Sequence, residues 1–310
     1  MKKKFVFLFV LFNILVISEV TKVENLDLDD FTRLKVETHI SDIIFNYSIN
    51  PDITVYYYSR TNDFPNAKIR RDKQSVHLFE DMTATYKTFS LFKNFLSFNH
   101  NNYLDWSGEG RYLFYNDKKL IDLFLTTNFG EISVRDQKIS ENFSASSNLN
   151  NIFLNNIQSK NIEVINKYGN ITLGNLFVED NLIISNYKGN IDIKHYTEVK
   201  ENLTINNESG DIEGYEIFSK RINIYNNSGR IIIFPKSFQT LEITTISGNI
   251  FIYLNSKDFN IQVSSSENSN IFVFGIDYKG SFSLNKDNKN TIIIKTKEGN
   301  VIIEDISSIE

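Results

Sequence analysis

The sequence predicts an all-β protein: a parallel β-solenoid of about nine coils of 19–21 residues, with an irregular, strand-rich cap on its N-terminal side. Three observations predict this fold class. An apolar motif recurs about every 20 residues beyond residue 130, each recurrence holds two short alternating strands, and turns rich in glycine and asparagine separate the strands. A fixed period near 20 is typical of a solenoid, because its repeats bury their apolar faces only by stacking.

An isoleucine marks the first strand of each predicted coil. The series has nine isoleucines, and neighbouring members are 19, 20 or 21 residues apart. Side chains alternate across a strand, so each isoleucine and the residue two positions later are expected to point into the core. The series is Ile132, Ile152, Ile171, Ile191, Ile212, Ile231, Ile250, Ile271 and Ile292.

A second apolar series lies about half a period after the first and predicts a second strand in each coil. Its members are also two positions apart, which is typical of a strand with one buried face. The series is Phe143/Ala145, Ile162/Val164, Leu182/Ile184, Leu203/Ile205, Ile222/Ile224, Leu241/Ile243, Ile261/Val263, Phe282/Leu284 and Val301/Ile303.

The turns carry a recurrent dipeptide motif in which glycine is followed by a polar residue, as in Gly169-Asn170 and Gly210-Asp211. Glycine and asparagine tolerate the positive φ that a tight corner needs. Stacked coils would place these asparagines in ladders with a spacing of about 4.8 Å, where side-chain amides bond from rung to rung. A phosphate-binding loop is the alternative interpretation, but no copy continues into a helix or supplies Gly-Lys-Ser/Thr.

The region upstream of the repeats is rich in strands but lacks the period. Alternating segments at 34–38, 53–57, 76–78 and 113–115 predict strands, and residues 82–110 form an aromatic insertion. Because a solenoid end needs a cover for its first rung, we assign residues 19–125 to an N-terminal cap. Residues 126–310 then form the solenoid domain.

Residues 1–18 have the pattern of a secretory signal peptide. Three lysines precede an apolar stretch of about 13 residues, which is short for a membrane span. The remaining chain has a formal charge of −8, from 30 basic and 38 acidic side chains. We therefore expect a secreted or cell-envelope (periplasmic) protein, with no transmembrane segment after signal removal and no nucleic-acid partner.

The sequence offers little chemistry for a cofactor or a metal ion, and we expect neither. There is no cysteine, which excludes disulfides and thiolate metal sites. The four histidines, at positions 39, 77, 100 and 195, have no ligand spacing. The acidic run at 27–30 lacks the glycine and the distant glutamate of a calcium loop, so it is interpreted as a solvated strand entry.

An apolar patch is predicted on the outside of the last coils. If the isoleucines point inward, the residues between them form one external surface over four rungs, with Phe251 and Phe272 side by side on adjacent rungs. Three occupants are possible: the chain's own segment 82–110, a protein partner or second copy, or a glycan stacked on the rings. The patch consists of Ile232, Phe234, Phe251, Tyr253, Phe272, Phe274 and Ile293.

Two classes of function remain open. The first is a non-enzymatic, adhesin-like protein that binds a protein or a glycan through a solenoid surface. The second is a carbohydrate-active lyase or hydrolase of the β-helix type, for which Asp192 and Glu213 are the only adjacent carboxylates on the first-strand outer face, with Lys194 nearby. One such pair is expected by chance on a surface this polar, so no catalytic residue is assigned.

The opening Leu28-Asp-Asp-Phe31-Thr-Arg-Leu34-Lys-Val36, followed by alternating strands and serial Ser-Gly-Asn/Asp-Ile units, resembles the "putative adhesin" family of bacterial envelope proteins. The resemblance covers nearly all of the chain after residue 18. It implies a secreted β-solenoid and an envelope location. It implies no catalytic residues, because that family has none assigned that could be carried over to this sequence.

Overall fold

The computed structural model describes residues 20–26, 32–39, 41–47, 53–59, 67–80, 110–116, 120–266 and 269–307. Within these ranges every regular element is a β-strand, which confirms the predicted all-β class. The predicted signal peptide lies outside the described residues, as does the aromatic insertion except for Gly110.

The structure contains 22 strands within the described ranges. They are β1 (Val20–Leu26), β2 (Arg33–Thr38), β3 (Asp42–Tyr47), β4 (Ile53–Ser59), β5 (Ala67–Asp72), β6 (Ser75–Glu80), β7 (Gly110–Asn116), β8 (Leu120–Thr127), β9 (Ile132–Ser147), β10 (Ile152–Tyr168), β11 (Ile171–Lys188), β12 (Ile191–Ser209), β13 (Ile212–Ser228), β14 (Ile231–Ser237), β15 (Thr240–Ser247), β16 (Ile250–Leu254), β17 (Asn260–Ser264), β18 (Asn270–Val273), β19 (Ile276–Lys279), β20 (Phe282–Leu284), β21 (Thr291–Glu298) and β22 (Val301–Asp305).

The long strands β9 to β13 form the centre of the solenoid. Each has 16 to 19 residues and spans both halves of one continuous 22-stranded sheet, so that its first part pairs in one half and its second part in the other. We call these the first sheet and the second sheet. All neighbouring pairs from β9 to β13 are parallel. The predicted parallel β-solenoid is therefore confirmed, with the two predicted strands of each of these coils joined into one long strand.

The bend within each long strand occurs at one residue in the left-handed region. These residues have φ between 50° and 65°, and most are asparagine, aspartate or histidine, which tolerate that region better than branched residues. One such residue per strand turns the chain from the first sheet to the second. They are Asp136, Asn156, Asn175, His195 and Glu216.

The core lies between the two sheets and is built from the two predicted apolar series. All nine isoleucines of the first series have no exposed surface, and Val164, Ile184 and Ile205 of the second series are equally buried. Burial of one such side chain contributes about 1.5–3 kcal/mol, so repetition over many rungs can hold the fold without disulfides. The inward assignment by alternation is therefore correct except for Phe282 and Leu284, which are only partly buried.

The glycine corners bring neighbouring rungs into close contact. Gly210 has φ of 130° and donates its N–H to the carbonyl of Ser228 at 3.0 Å. A Cβ at this position would lie 2.2 Å from the carbonyl oxygen of Gly189 on the previous rung. Only glycine fits, both because of this contact and because of its φ.

Asparagine ladders are present, but those at the glycine corners use different bonds from the ones predicted. The side-chain oxygen of Asn170 accepts the backbone N–H of Asn190 at 2.9 Å, and Asn190 accepts that of Asp211 at 3.0 Å. Each corner side chain therefore holds the backbone of the next rung. This series ends at Arg230, whose side chain has no oxygen to offer to the rung beyond.

Amide-to-amide bonds occur in a second ladder, where the strands enter the second sheet. Asn181 donates to Asn161 at 3.1 Å, and Asn202 donates to Asn181 at 2.8 Å. The ladder ends on charges, because Asn142 donates to the Asp122 carboxylate and Asn202 accepts from Arg221. All donors point the same way along the solenoid, so an anion at one end and a cation at the other complete the chain of bonds.

The order of rungs at the C-terminal end does not follow the sequence. In the second sheet β21 lies between β15 and β17, and in the first sheet β22 lies between β16 and β18. The last coil of the chain is thus inserted between two earlier coils. The prediction that Phe251 and Phe272 lie on adjacent rungs assumes that the coils stack in sequence order. That order is not kept here.

This insertion changes the sheet to which two predicted pairs belong. Ile292 pairs with Leu241 and Ile261, so it belongs to the second sheet, whereas Val301 pairs with Ile250 and Ile271 in the first. The segment at 282–284 was expected to be the second strand of a coil. It is instead β20, an antiparallel partner of β17.

The N-terminal strands continue both sheets with a similar insertion. The strands predicted around 34–38, 53–57, 76–78 and 113–115 are present as β2, β4, β6 and β7. In the first sheet β3 lies between β7 and β9, and in the second β8 lies between β2 and β9, with all four pairs parallel. The predicted boundary between the cap and the solenoid, at residues 125 and 126, lies within β8.

Antiparallel strands close the described ends of both sheets. In the first sheet β4 pairs antiparallel with β7, and β19 with β18; in the second β5 pairs with β6, and β20 with β17. In the first sheet β1 adds a further antiparallel strand beyond β4. The parallel ladder therefore gives way at each end to strands of three to seven residues, which offer a shorter edge for pairing with another chain than the long central strands do.

Candidate functional site

The outer face of the first sheet carries a continuous column of apolar side chains over its C-terminal rungs, which we call the apolar column. Its members occupy equivalent positions on β14, β16, β22 and β18. The first three are half-buried and the last is 41% exposed. In spatial order they are Ile232, Phe251, Ile302 and Phe272.

A stack of three aromatic rings runs beside the apolar column, and we call it the aromatic ladder. The ring centroids of Tyr215 and Phe234 are 4.9 Å apart with an interplanar angle of 19°. Those of Phe234 and Tyr253 are 4.4 Å apart with an angle of 15°. The rings therefore lie face to face along the solenoid, and the aromatic ladder presents ring edges to the outside.

Beyond Tyr253 the aromatic ladder gives way to a charged residue. Glu304 occupies the next rung opposite Tyr253 and is exposed. Phe274, expected in the outer patch, lies instead in the turn after β18, where its half-buried side chain packs against the core, and the ammonium group of Lys257 is 5.8 Å from its ring centroid. Cation–π contacts of this kind stabilise modestly at exposed sites, by about 0.5–1 kcal/mol.

The structure corrects two expectations about the patch. Ile293 is absent from it, because β21 belongs to the second sheet, where Ile293 pairs with Glu242 and Gln262. Phe251 and Phe272 both point outward, but they are not on adjacent rungs, since Ile302 lies between them. The inserted C-terminal coil causes both differences.

Two members of this surface, Ile302 and Tyr215, were not identified from the sequence. Ile302 sits between the buried Val301 and Ile303, so alternation alone identifies it as outward but not the sheet to which it belongs. Tyr215 is two positions beyond Glu213 on β13 and could have been found by extending the outward series by one rung. Its stacking on Phe234 could not have been predicted.

The two carboxylates of the enzyme hypothesis lie side by side as expected, but both are neutralised by cations. Asp192 and Glu213 pair on adjacent strands of the first sheet. Lys194 is 2.9 Å from Asp192, and this hydrogen bond raises the pKa of the lysine. Arg230 is 3.0 Å from Glu213 and 3.2 Å from Asp211. This arrangement is a charged network beside the aromatic ladder.

The charged network touches the aromatic ladder at Tyr215. The Tyr215 hydroxyl donates to Glu213 at 3.4 Å. Burial, together with the nearby Glu213 carboxylate, raises the pKa of this phenol. The hydroxyl therefore stays protonated at neutral pH and gives the stack a polar group at its Tyr215 end.

The described residues contain neither a metal-binding cluster nor a helix that could span a membrane. No group of three or more His, Cys, Asp or Glu side chains there is arranged to hold a metal ion. No helix with the length and apolar character needed to cross a membrane is found in the same ranges.

We expect the double variant Phe251→Ser/Phe272→Ser to keep the fold, lowering the thermal midpoint by about 4 °C or less. Each ring lies on the outer face and loses only contacts with its neighbours across the sheet, which contribute about 0.2–1 kcal/mol each. The inward control Ile252→Ala should cost about 2–5 kcal/mol by comparison.

The same melt tests whether the chain's own segment 82–110 covers this face. If it did, each phenylalanine would lose about 1.5–3 kcal/mol of burial. A fall in the midpoint of about 6 °C or more, comparable to that of the Ile252→Ala control, would contradict a free surface.

The chain is similar, at low identity, to several solved structures. Among solved structures, the chain is similar to a "putative adhesin" from Bacteroides fragilis, with 11% identity, a TM-score of 0.47 and coverage of 92% of this chain and 97% of the other. A "putative lipid binding protein" from Parabacteroides distasonis shows 12% identity, a TM-score of 0.47 and coverage of 92% and 96%. A "putative cell adhesion protein" from Clostridium sporogenes shows 10% identity, a TM-score of 0.23 and coverage of 93% and 98%.

A search of curated proteins finds no match to this chain. The family model described as Toastrack DUF4097 matches residues 31–304, which include β2 to β21 and most of β22. The match therefore spans both the N-terminal strands and the repeats, and it confirms the resemblance inferred from the Ser-Gly-Asn/Asp-Ile units. This chain belongs to the Toastrack DUF4097 family.

Proposed function

We propose that this protein is a non-enzymatic, adhesin-like interaction protein, secreted or held in the cell envelope, that binds a protein partner through the first sheet. The binding surface is the apolar column together with the aromatic ladder. The observation that carries the proposal is the stacked arrangement of Tyr215, Phe234 and Tyr253 beside an outward column of aliphatic and aromatic side chains. The location rests on the signal-type pattern of residues 1–18.

The orientation of the rings favours a protein over a glycan. Sugar C–H groups pack on an open aromatic face, where the ring carries negative potential. In the aromatic ladder the two faces of Phe234 are occupied by Tyr215 and Tyr253. The exposed ring edges and the adjacent aliphatic groups suit the mixed apolar side chains at the core of a protein interface.

The dimensions of the surface fit the centre of such an interface. Four rungs at a spacing of about 4.8 Å give a strip roughly 15–20 Å long. The area of such a strip is smaller than the roughly 800 Å² that each partner buries in a standard interface, so the strip would form the centre of the interface and not all of it. Charged groups at its margin, including Glu213, Arg230 and Glu304, would form the polar rim.

The experiment is site-specific photocrosslinking on cells that naturally produce the protein. A photoreactive amino acid replaces Phe272 in one variant and Ile183 in a second. The two positions are matched in exposure, at 41% and 39%, but Ile183 belongs to the second sheet. We expect a discrete protein adduct from position 272 alone, and purified unmodified chain should compete with its formation.

A second competitor makes the assignment specific to the surface. The variant Phe234→Ser/Phe251→Ser/Tyr253→Ser should fail to compete, whereas Ile183→Ser should compete as well as the unmodified chain. Equal adducts from both crosslinking positions, or no adduct at 272, would refute the proposal. An adduct that glycosidase treatment removes would point to a glycan instead of a protein.

A further inference from the structure

A hollow of about 290 Å³ lies on the outer face of the first sheet, over the N-terminal rungs and apart from the apolar column. Its floor is backbone, because Gly174 occupies an outward position where the neighbouring rungs carry Asn155 and Lys194. A Cβ on Gly174 would lie 3.1 Å from both the Asn155 side-chain oxygen and the Lys194 carbonyl oxygen. Single-site ligand pockets begin at roughly this volume.

Phe153 forms one wall of the hollow and differs from the rings of the aromatic ladder. It points outward from β10 and is half-buried. In the described part of the chain no other aromatic ring stacks on it. No aromatic ring of the described residues therefore occupies its face, and an aromatic face is the surface on which the C–H face of a pyranose ring packs.

Arg135 pairs with Asn155, diagonally across from Phe153, and within the described residues it has no counter-ion. It is exposed on β9, two positions beyond Ser133, which pairs with Phe153. Among the described residues its guanidinium group has no hydrogen-bond or ion-pair partner. By contrast, Lys194 across the hollow is paired with Asp192 at 2.9 Å. A guanidinium group matches a carboxylate with two parallel hydrogen bonds.

Polar groups around the floor complete the site. The side-chain oxygen of Asn155 accepts a hydrogen bond from the Asn175 side chain at 3.0 Å. The N–H groups of the Asn155 amide take no part in this bond. The Thr172 hydroxyl and the His195 ring also line the hollow. The nearby Asp136 carboxylate is engaged by Asn156 at 2.6 Å. Sugar hydroxyls are suitable acceptors and donors for this set.

We propose that this hollow binds an acidic sugar of the uronic acid class. The pyranose ring lies on Phe153, its carboxylate is held by Arg135, and its hydroxyls bond to Asn155 and Thr172 across the Gly174 floor. The site is separate from the apolar column, so this inference and the proposed protein-binding function can fail independently.

Calorimetry with the full chain tests the site, using oligomers of galacturonic, glucuronic and mannuronic acid as probes, with dextran as the neutral control and dextran sulfate as the non-carboxylate anion. We expect at least one uronate oligomer to bind, and dextran and dextran sulfate to bind at least about tenfold more weakly.

Variants then localise the binding. Arg135→Gln and Phe153→Thr should each weaken it by about tenfold or more, and Gly174→Ser should do the same by filling the floor. The matched control is Lys138→Gln, which removes an exposed cation on the same strand outside the hollow. Circular dichroism confirms that each variant is folded.

Several outcomes would overturn the inference. Equal weakening by Arg135→Gln and Lys138→Gln would mean general charge attraction. Preference for dextran sulfate would refute the carboxylate assignment, and equal binding of dextran would remove the need for an acid. Absence of binding to every uronate oligomer would refute the site itself.

Discussion

Truncation of the chain after Asn290 is expected to unfold β17 and β18, although both strands remain in the shortened chain. β21 separates β15 from β17, and β22 separates β16 from β18, so removal of the last coil takes away the parallel partners of both strands. Ile261, Val263, Ile271 and Val273 would lose most of their burial, at about 1.5–3 kcal/mol each.

Hydrogen exchange read by mass spectrometry checks this expectation. Peptides from β17 and β18 should lose most of their protection, whereas those from β9 to β13 should keep theirs, because a solenoid is stabilised by contacts between neighbouring rungs. In full-length protein, Ile292→Asn should weaken protection of the same strands. Unchanged protection of β17 and β18 after truncation would show that the coils stack in sequential order.

We expect Gly210→Ala to destabilise the protein by more than about 3 kcal/mol, although it adds only one methyl group. The new Cβ would lie 2.2 Å from the Gly189 carbonyl oxygen, a backbone atom that cannot move without displacing the previous rung. The φ of 130° adds strain for any residue with a side chain. Equilibrium unfolding in guanidinium chloride measures the change.

Gly280→Ala separates the two causes. Gly280 also has a positive φ, of 70°, but a Cβ there meets nothing within 4 Å. This control should cost only about 1–2 kcal/mol, the left-handed strain alone. Equal losses at Gly210 and Gly280 would contradict the argument that rung contact selects glycine at the stacked corners.

On the outer surface, the sequence pattern predicted which side chains point outward but not which of them are neighbours. Alternation correctly identified Ile232, Phe251 and Phe272 as outward, because the side-chain direction in a strand depends only on position parity. It could not show that Ile302 completes the apolar column, or that Ile293 belongs to the other sheet. The hollow at Gly174 also escaped it, since a missing side chain becomes a feature only when the neighbours on adjacent rungs are known.

The sequence by itself determined the all-β class, the two strands per coil, the residues that face the core and the glycine corners. All of these follow from local rules: the period of two along a strand, and the conformational freedom of glycine. The tertiary structure alone decided which rungs are neighbours. Because every rung offers a similar inward pair, such as Ile292/Ile294 or Val301/Ile303, several pairings satisfy the same pattern. The choice depends on long-range contacts that place the last coil between two earlier ones.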